Sequence, residues 1–339
     1  MAVAVPRASL ADLGGWPAVL GPLTRGHHLT AAQAGAAMAE VLEGAATPAQ
    51  IAAFCVALRI NGETVEEMAG LLGTMLEYAV RVPLPPALDV VDTCGTGGDR
   101  SATINVSTLA ALAVAGAGAP VCKHGNRALS SASGSADVLE ALGVAIDLGP
   151  EGVAACVEQA GMGFCFAPRF HAALRHAGPT RRELGVPTVF NFLGPLANPA
   201  GVRRQALGVS DPTMAERMLG VLEGNGAERA LVVYGHDGLD ELSTTTTSTV
   251  LELRDGATRT YVVDPVALGL AHADAGALRG GDAATNATLG RRVLDGERGA
   301  HRDIVLLNAA AGIVATRTLV AFRAYSRHDL EAMFDLGAG

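Results

Sequence analysis

A glycine-rich turn is the first segment of the sequence whose residue types suit chemistry. It reads Asp92-Thr-Cys-Gly-Thr-Gly-Gly-Asp99 and follows a short apolar run. Backbone N–H groups in such a turn can converge on a phosphate, because glycine has no Cβ to block a close approach. The segment lacks the Gly-Lys-Ser/Thr of a P-loop and the third glycine of the dinucleotide fingerprint. Phosphate binding and an ordinary tight turn therefore both stay open.

The segment Thr103-Ile-Asn-Val-Ser-Thr108 follows closely and precedes an apolar helical pattern. Ser107 or Thr108 suits the N-cap of that helix, which would be a purely structural role. Helix N-termini also attract phosphate, because free N–H groups and the helix dipole favour negative charge. Together with the glycine turn, two anion-binding backbone elements would face one spot.

The segment Lys123-His-Gly-Asn-Arg-Ala-Leu-Ser-Ser131 contains the only lysine among the 25 lysine and arginine residues of the chain. We predict that it follows a strand at residues 120–122. A site that needs a compact ammonium would keep lysine in an arginine-biased chain, since a guanidinium fork has another shape. Lys123 and Arg127 are cations suited to bind a phosphorylated ligand at the carboxyl edge of a parallel sheet. The alternatives are a solvated Lys123 and a structural His124.

An adjacent acidic pair, Asp240-Glu241, is preceded by His236-Asp-Gly-Leu and followed by Leu242-Ser-Thr. Mg²⁺ prefers one or two carboxylates together with substrate phosphates and water. The pair therefore suits Mg²⁺ if it lies near a phosphate site, whereas a solvated pair of surface charges is the alternative.

The stretch from residue 166 to 199 is rich in proline, glycine and asparagine, and we predict an irregular segment there. It includes Ala167-Pro-Arg-Phe-His171, Arg175-His176 and Arg181-Arg182. These arginines suit bidentate pairing with a carboxylate, or they are cations on a helix surface.

Helix signals dominate the first 80 residues. Thr30, Thr47 and Thr64 each precede Gln or Glu by three residues, which is the capping-box pattern, and Pro48 adds a helix-start signal. Apolar residues recur after each at helical spacing. We predict a small all-helical domain over residues 1–82, with a contribution from about 172–196.

Prolines at positions 83, 85 and 86 indicate a hinge, after which the pattern changes. Strands are predicted at residues 88–91, 120–122, 163–166, 205–209 and 229–234. Helices are predicted at residues 107–118, 135–142, 152–160 and 213–222. This alternation predicts a large α/β domain over residues 83–339, with a mostly parallel central sheet covered on both faces.

Composition excludes several classes of protein. The 339 residues are 49% hydrophobic and 17% charged, so the chain is too apolar to be disordered. The net charge of −9 argues against nucleic-acid binding through broad positive charge. Five cysteines without paired spacing argue against a disulfide scaffold and favour a reducing cytoplasm. We see no signal peptide, and the longest apolar stretch, residues 109–121, is too short to span a bilayer.

The motifs together resemble one family, the anthranilate phosphoribosyltransferases, and especially its actinobacterial members. GTGGD, NVST, KHGNR with its trailing SS, APRFH…RHA…RRE, FNFLGPLANP and GLDELSTTTTS occur in that family's order and spacing. Single motifs are weak, but six in register are specific. The resemblance covers roughly residues 29–313.

This resemblance implies a helical domain, an α/β domain and a homodimer joined through the helical domains. It implies transfer of the 5-phosphoribosyl group from phosphoribosyl diphosphate (PRPP) to the amino group of anthranilate. Pyrophosphate is released, and anthranilate is committed to tryptophan synthesis. Mg²⁺ is the implied cofactor, with two ions per subunit.

The resemblance also implies site residues, position by position. The PRPP-binding residues would be Gly95, Gly97, Gly98, Asp99, Thr103, Asn105, Ser107, Thr108, Lys123 and Ser131. The anthranilate-binding residues would be Gly95, Asn126, Arg181, His124, Pro168, His171 and Gly194, with Arg181 on the carboxylate. The Mg²⁺ ligands would be Ser107, Asp240 and Glu241.

Three positions and the tail depart from the family pattern. Arg100 stands where the family commonly has Gly, and Ala102 where it has Asn, so PRPP affinity could differ. Leu174 replaces a Tyr or Phe beside the anthranilate channel, which affects acceptor specificity. Residues after about Ile313 do not resemble the family's closing helix, and the arginines of this tail, Arg317 among them, have no explanation.

Three other functions remain as alternatives. A paralogue could act on another amino-benzoate, as Leu174 suggests. Pyrimidine nucleoside phosphorylases share the fold but have Lys-His-Ser where this chain has Lys123-His-Gly-Asn126. Nucleic-acid-binding relatives are disfavoured by the intact acidic pair and the negative net charge.

Overall fold

The computed structural model describes residues 8–128 and 132–316. Four helices come first: α1 (Gly15–Leu23), α2 (Ala31–Glu43), α3 (Pro48–Asn61) and α4 (Val65–Glu77). The three predicted capping boxes are present at α2, α3 and α4, where Thr30, Thr47 and Thr64 each accept the N3 backbone N–H. Helix α1 carries no such cap, and the sequence analysis does not predict it.

Small residues bring α2 and α4 into close contact. A Cβ on Gly70 would lie 2.2 Å from the carbonyl oxygen of Ala31, so only glycine fits at this crossing. Thr74 Oγ1 donates to the carbonyl oxygen of Gly35 at 3.1 Å. The apolar faces of these helices, with Met38, Met68 and others, form one buried core.

Seven strands form two sheets in the described residues. They are β1 (Asp92–Gly95), β2 (Val121–Gly125), β3 (Met162–Phe166), β4 (Arg204–Gly208), β5 (Arg229–Gly235), β6 (Ser248–Arg254) and β7 (Ala257–Val263). The larger sheet has the order β1-β4-β5-β6-β7, and β2 pairs with β3 in the smaller one. The pairs β1–β4, β4–β5 and β2–β3 are parallel. Strands β6 and β7 add an antiparallel edge that the sequence analysis missed.

Nine further helices follow the first strand within residues 8–128 and 132–316. They are α5 (Val106–Gly116), α6 (Ser135–Ala141), α7 (Pro150–Ala160), α8 (Ala167–Phe170), α9 (Gly178–Leu184), α10 (Val189–Leu196), α11 (Pro212–Gly224), α12 (Ala283–Leu294) and α13 (Ala300–Ala315). Short 3₁₀ helices lie at Ala172–His176 and Ala275–Leu278. The predicted fold class, a helical domain followed by an α/β domain with a mostly parallel sheet, is confirmed.

The stretch 166–199 is largely helical, so the prediction of an irregular segment is wrong. Its helices α9 and α10 begin after Ala177 and Thr188, and the side chains of Val189, Phe192 and Leu193 join the core of the N-terminal helices. Proline and glycine mark the ends of these short helices here, rather than the absence of helix.

Two strand predictions misplace residues of the site. The apolar run 88–91 makes only a single bridge, Val91 to Val121, and the paired strand β1 starts at Asp92. Strand β2 continues through Lys123 to Gly125, so Lys123 lies within the strand and not after it. Polar residues can extend these strands because their buried groups are hydrogen-bonded.

The predicted helix at 107–118 begins earlier, at Val106, and its N-cap is Asn105. Ser107 and Thr108 therefore lie inside the first turn, and neither is the N-cap. Ser131 and the tail beyond Thr316, including Arg317, lie outside the described residues. No helix in the part of the chain that the structure describes is long and apolar enough to cross a membrane.

Candidate active site

Lys123 lies between the two sheets. Its side chain is 1% exposed, which excludes the alternative of a solvated lysine. Nζ donates to the carbonyl oxygen of Thr93 on β1 and reaches Ser107 Oγ at 3.5 Å. The only lysine side chain of the sequence thus connects β2 to β1 and to the first turn of α5.

Asp92 is the buried carboxylate beneath this ammonium. It accepts the backbone N–H of His124 at 3.3 Å and the side-chain amide of Asn198 at 2.9 Å. Burial raises the pKa of Asp92, and the charge of Lys123 opposes the rise. Asn198 also donates to the carbonyl oxygen of Cys122, so it ties β1 to β2. Sequence reasoning assigned no role to Asp92 or Asn198, because their partnership is visible only in three dimensions.

The glycine-rich turn closes onto the acidic pair. Gly97 N–H donates to Asp240 Oδ2 at 2.6 Å. A Cβ on Gly95 would lie 2.3 Å from the same oxygen, and one on Gly208 would lie 1.6 Å from the carbonyl oxygen of Asp240. Only glycine at both positions lets Asp240 approach the ends of β1 and β4. Gly97 and Gly98 have φ of 67° and 84°, so the turn itself also requires glycine.

Glu241 reaches the other predicted anion site. Its Oε1 accepts the backbone N–H of Ser107 at 3.0 Å, in the first turn of α5. Asn105, the N-cap, makes no side-chain cap, and Glu241 instead supplies an acceptor oxygen to the first turn of the helix. The structure therefore brings together the glycine turn, the start of α5, Lys123 and the acidic pair.

Three carboxylates crowd this spot. Burial raises the pKa of Asp240 to about 7, with the nearby Asp99 contributing to the rise. Burial and the charge of Asp240 raise the pKa of Glu241 well above its usual value, while Lys123 opposes that rise. A hard divalent cation would stabilise such carboxylates and accept their oxygens as ligands. The donor set, Asp240 and Glu241 with the Ser107 hydroxyl alongside, fits Mg²⁺.

A buried amide network holds the segment before α5. Asn105 Oδ1 accepts hydrogen bonds from Asn286 Nδ2 at 2.8 Å and from Ser133 Oγ at 3.0 Å. Asn286 Oδ1 in turn accepts the N–H of Gly281 at 2.7 Å. The side chain of Asn105, a predicted PRPP contact, is thus bonded within the protein and ties α5 to α12. Asn286 was missed because no local sequence signal marks it.

His124 lies against α10 with a defined tautomer. Nδ1 lies 3.1 Å from the carbonyl oxygen of Gly194, and a carbonyl only accepts, so Nδ1 carries the proton. Burial, and then the neighbouring His171, lower the pKa of His124 to about 3, so the ring is neutral. Nε2 then presents a lone pair, and it is buried without a partner in the described residues. The two histidine rings lie 5.1 Å apart.

Arg181 lies on α9, with its guanidinium 5.0 Å above the Phe190 ring. Within residues 8–128 and 132–316 its Nε is buried without a partner, and no carboxylate lies within ion-pair distance. Burial lowers the pKa of Arg181, and the Cys55 thiol lies close by. Phe190 and Gly194 are four residues apart on α10, so about 6 Å of helix separates the contacts of Arg181 and His124. A half-buried guanidinium without a counter-ion suits an anionic ligand.

Arg100 and Ala102, beside the glycine turn, both have a positive backbone φ angle. Their φ angles are 57° and 52°. This left-handed backbone conformation is energetically unfavourable for any residue that has a Cβ. Glycine and asparagine, the residues that the resemblance implies at these positions, adopt it readily. The chain therefore keeps a left-handed backbone here at the cost of local strain.

The remaining predicted residues are less clearly assembled. Asn126 is exposed after β2, and its Oδ1 accepts the N–H of Arg127 at 2.7 Å. Pro168 is exposed in the first turn of α8. Thr103 forms a single bridge with Arg279, and Thr108 is 1% exposed, so its side chain faces the core.

Comparison with known proteins agrees with this arrangement. Residues 17–79 match the helical bundle domain of a glycosyl transferase family, and residues 87–337 match its a/b domain. The class defined by fold and site is thus a glycosyl transferase with a helical bundle. The chain is 56% identical to anthranilate phosphoribosyltransferase of Rhodococcus jostii (strain RHA1) over 304 residues, covering 90% of this chain and 83% of the relative.

Solved structures give the same result. Anthranilate phosphoribosyltransferase from Thermus thermophilus is 40% identical, with a TM-score of 0.84 over 94% of this chain and 97% of that one. The enzyme from Saccharomyces cerevisiae in complex with PRPP and Mg is 27% identical, with a TM-score of 0.78 over the same shares. The chain belongs to the anthranilate phosphoribosyltransferase family. These relatives favour none of the alternative functions.

Proposed function

We propose that the chain transfers the 5-phosphoribosyl group of PRPP to the amino group of anthranilate and releases pyrophosphate, in tryptophan biosynthesis. One observation carries the proposal: two backbone anion sites, the buried ammonium of Lys123 and an acidic pair converge at the ends of β1, β2 and β4. A phosphorylated substrate with a divalent cation needs this combination. The names of the relatives supply the particular substrates.

The PRPP site comprises the glycine turn, the start of α5 and Lys123. Asp240 and Glu241 would hold one Mg²⁺ and Ser107 would lie near another, with two ions per subunit. When bound, Mg²⁺ would neutralise part of the charge of the diphosphate leaving group. Lys123 places its ammonium in a buried site, where its attraction to a phosphate is screened less than in water. Asp92 and Asn198 position Lys123 from below, since they bind the backbone on either side of it.

The chain mainly positions reactants and stabilises charge. Breaking the glycosidic bond of PRPP leaves positive charge on the ribose and negative charge on the diphosphate, so gathered charges lower the barrier. The amino group of anthranilate is neutral at pH 7 and already nucleophilic, so no strong general base is needed.

His124 orients the attacking nitrogen. Its unprotonated Nε2 accepts one N–H of the anthranilate amino group, which turns the nitrogen lone pair toward the ribose. A neutral ring is required for this role, and burial keeps it neutral. His171, Pro168, Gly194 and Asn126 line the same pocket.

Arg181 binds the carboxylate of anthranilate. The planar guanidinium matches a carboxylate with two parallel hydrogen bonds. Its partly buried position strengthens the pairing, because solvent screens it less. The ring of Phe190 holds the guanidinium plane in place.

A homodimer joined through the helical domains and a cytoplasmic location complete the proposal. Ile60 on α3, 79% exposed, and Val65 on α4, 39% exposed, are apolar side chains available to such an interface.

The test is a fluorescence assay of anthranilate consumption with PRPP and Mg²⁺, run beside substituted anthranilates. Turnover of anthranilate is the expected result. Failure with anthranilate but turnover of another amino-benzoate would assign the chain to the paralogue, for which Leu174 is the motivating difference.

A further inference from the structure

Asn308, on α13, makes two hydrogen bonds to the loop that carries the acidic pair. Asn308 Oδ1 accepts the backbone N–H of Leu242 at 2.8 Å, and Asn308 Nδ2 donates to the carbonyl oxygen of Leu242 at 2.9 Å. Nδ2 also donates to the carbonyl oxygen of Ile304, four residues back on α13. Asn308 is 5% exposed, so these bonds form away from water.

This two-point contact fixes the backbone directly after the acidic pair. The Leu242 N–H belongs to the same rigid peptide plane as the carbonyl of Glu241. Holding both polar groups of Leu242 therefore restrains its φ and ψ and orients the peptide plane that follows Glu241. The side chain of Leu242 is 4% exposed and packs in the core that includes Leu307 of α13.

The loop that carries the pair also has contacts of its own. Asp237 accepts the Leu239 N–H at 3.3 Å and the Ser243 hydroxyl at 2.6 Å. Asp237 closes the loop on itself, whereas Asn308 connects the residue after Glu241 to a helix of the α/β core. Asn308 therefore ties to α13 the backbone next to Glu241, whose carboxylate accepts the Ser107 N–H.

We propose that Asn308 is a positioning residue for the carboxylates of Asp240 and Glu241 and thereby sets the affinity of the site for a divalent cation. The inference rests on the proposed function of these two carboxylates as Mg²⁺ ligands. Groups that orient metal ligands from behind change metal affinity by roughly 10- to 100-fold when they are removed. Asn308 has this position without contacting substrate.

The variant Asn308→Ser tests the proposal. A serine on a helix bonds the carbonyl four residues back, so Ile304 keeps a partner while Leu242 loses both bonds. Asn308→Thr fills more of the vacated volume and serves as a second variant. Ile313→Ala and Ile313→Val, on the same helix and 4% exposed in the native chain, reproduce a loss of stability while leaving both hydrogen bonds between Asn308 and Leu242 in place.

The measurement is Mn²⁺ binding followed by electron paramagnetic resonance in the presence of PRPP, with steady-state kinetics alongside. We expect Asn308→Ser and Asn308→Thr to weaken Mn²⁺ binding about 10-fold or more. The KM for anthranilate should stay unchanged, and the Ile313 variants should bind Mn²⁺ as the native chain does. Native Mn²⁺ affinity in the folded Asn308 variants, or equal losses in the Ile313 variants, would overturn the inference.

Glu241→Gln separates this inference from the function beneath it. If Glu241→Gln retains native Mn²⁺ affinity, the proposed metal site itself fails. If Glu241→Gln loses affinity while both Asn308 variants keep it, only the positioning role fails.

Discussion

Asp240 accepts the N–H of Gly97 at 2.6 Å, so a carboxylate of the protein occupies a backbone donor that would also suit a phosphate oxygen. Glu241 does the same at the N–H of Ser107. Without a cation, the acidic pair therefore competes with a phosphorylated ligand for the same backbone donors. A cation that draws these carboxylates onto itself would remove that competition, so we expect cation binding and diphosphate binding to be coupled.

This coupling predicts the effect of metal removal. Chelation of Mg²⁺ should weaken PRPP binding to the native chain by at least about 10-fold, as measured by calorimetry. The double variant Asp240→Ala, Glu241→Ala should lose the response of turnover and of PRPP binding to Mg²⁺. Glu223→Gln, an exposed carboxylate on α11, is the control and should respond as the native chain does. An unchanged metal response of the double variant would remove Asp240 and Glu241 from the site.

Replacing Arg181 should affect one substrate selectively. Arg181→Ala removes a charge-assisted pair worth about 1.5–3 kcal/mol, so KM for anthranilate should rise by roughly 10- to 100-fold. KM for PRPP should change little. Arg182→Ala, its exposed neighbour, provides a matched control. Equal rises in both KM values for Arg181→Ala would contradict the carboxylate role.

His124 predicts a pH dependence of stability. Its pKa is about 3 in the folded chain, against an ordinary value of 6.5, so below pH 6.5 the unfolded chain binds a proton that the native chain excludes. His124 therefore lowers the free energy of unfolding progressively as pH falls from 6.5 toward 3. Above pH 6.5 its effect on that free energy is nearly constant. Between pH 7 and pH 5 the native chain should lose about 2 kcal/mol more than His124→Asn does.

Urea unfolding at the two pH values measures that difference. His27→Asn, at an exposed histidine, should show the pH dependence of the native chain. If His124→Asn loses as much stability as the native chain between pH 7 and pH 5, the neutral buried ring is refuted.

The strained turn should gain stability from the residues common in the family. Arg100→Gly and Ala102→Asn each relieve a left-handed backbone and should raise the free energy of unfolding by about 0.5–1 kcal/mol. Arg100→Ala keeps the Cβ and should give no gain. Thermal unfolding distinguishes the three variants, and a lower melting temperature for Arg100→Gly would show that the Arg100 side chain stabilises the fold.

Sequence signals that act locally were sufficient for part of the fold. The capping boxes at Thr30, Thr47 and Thr64 involve residues three positions apart, so the pattern determines the structure. The start of β1 was misplaced because Asp92 and Thr93 look unlike a buried strand. Their burial depends on Asn198, Lys123 and other distant partners that a local pattern does not contain.

The same distinction applies to the site. Residue types made the glycine turn, Lys123 and the acidic pair candidates and left structural alternatives open, and the family resemblance assigned their roles. Asn308 and Asn286 were not candidates, because a single asparagine in a helical pattern carries no signal. Their importance arises from tertiary hydrogen bonds alone.

The burial of Lys123 has a practical consequence for spectroscopy. Because it is the only lysine of the 339 residues, isotope labelling of lysine alone places one reporter ammonium in the whole chain, at the junction of the two sheets. A single resonance from Nζ or Cε would then follow ligand and cation binding without assignment of the remaining spectrum. Amine-directed reagents, conversely, should leave this buried side chain unmodified.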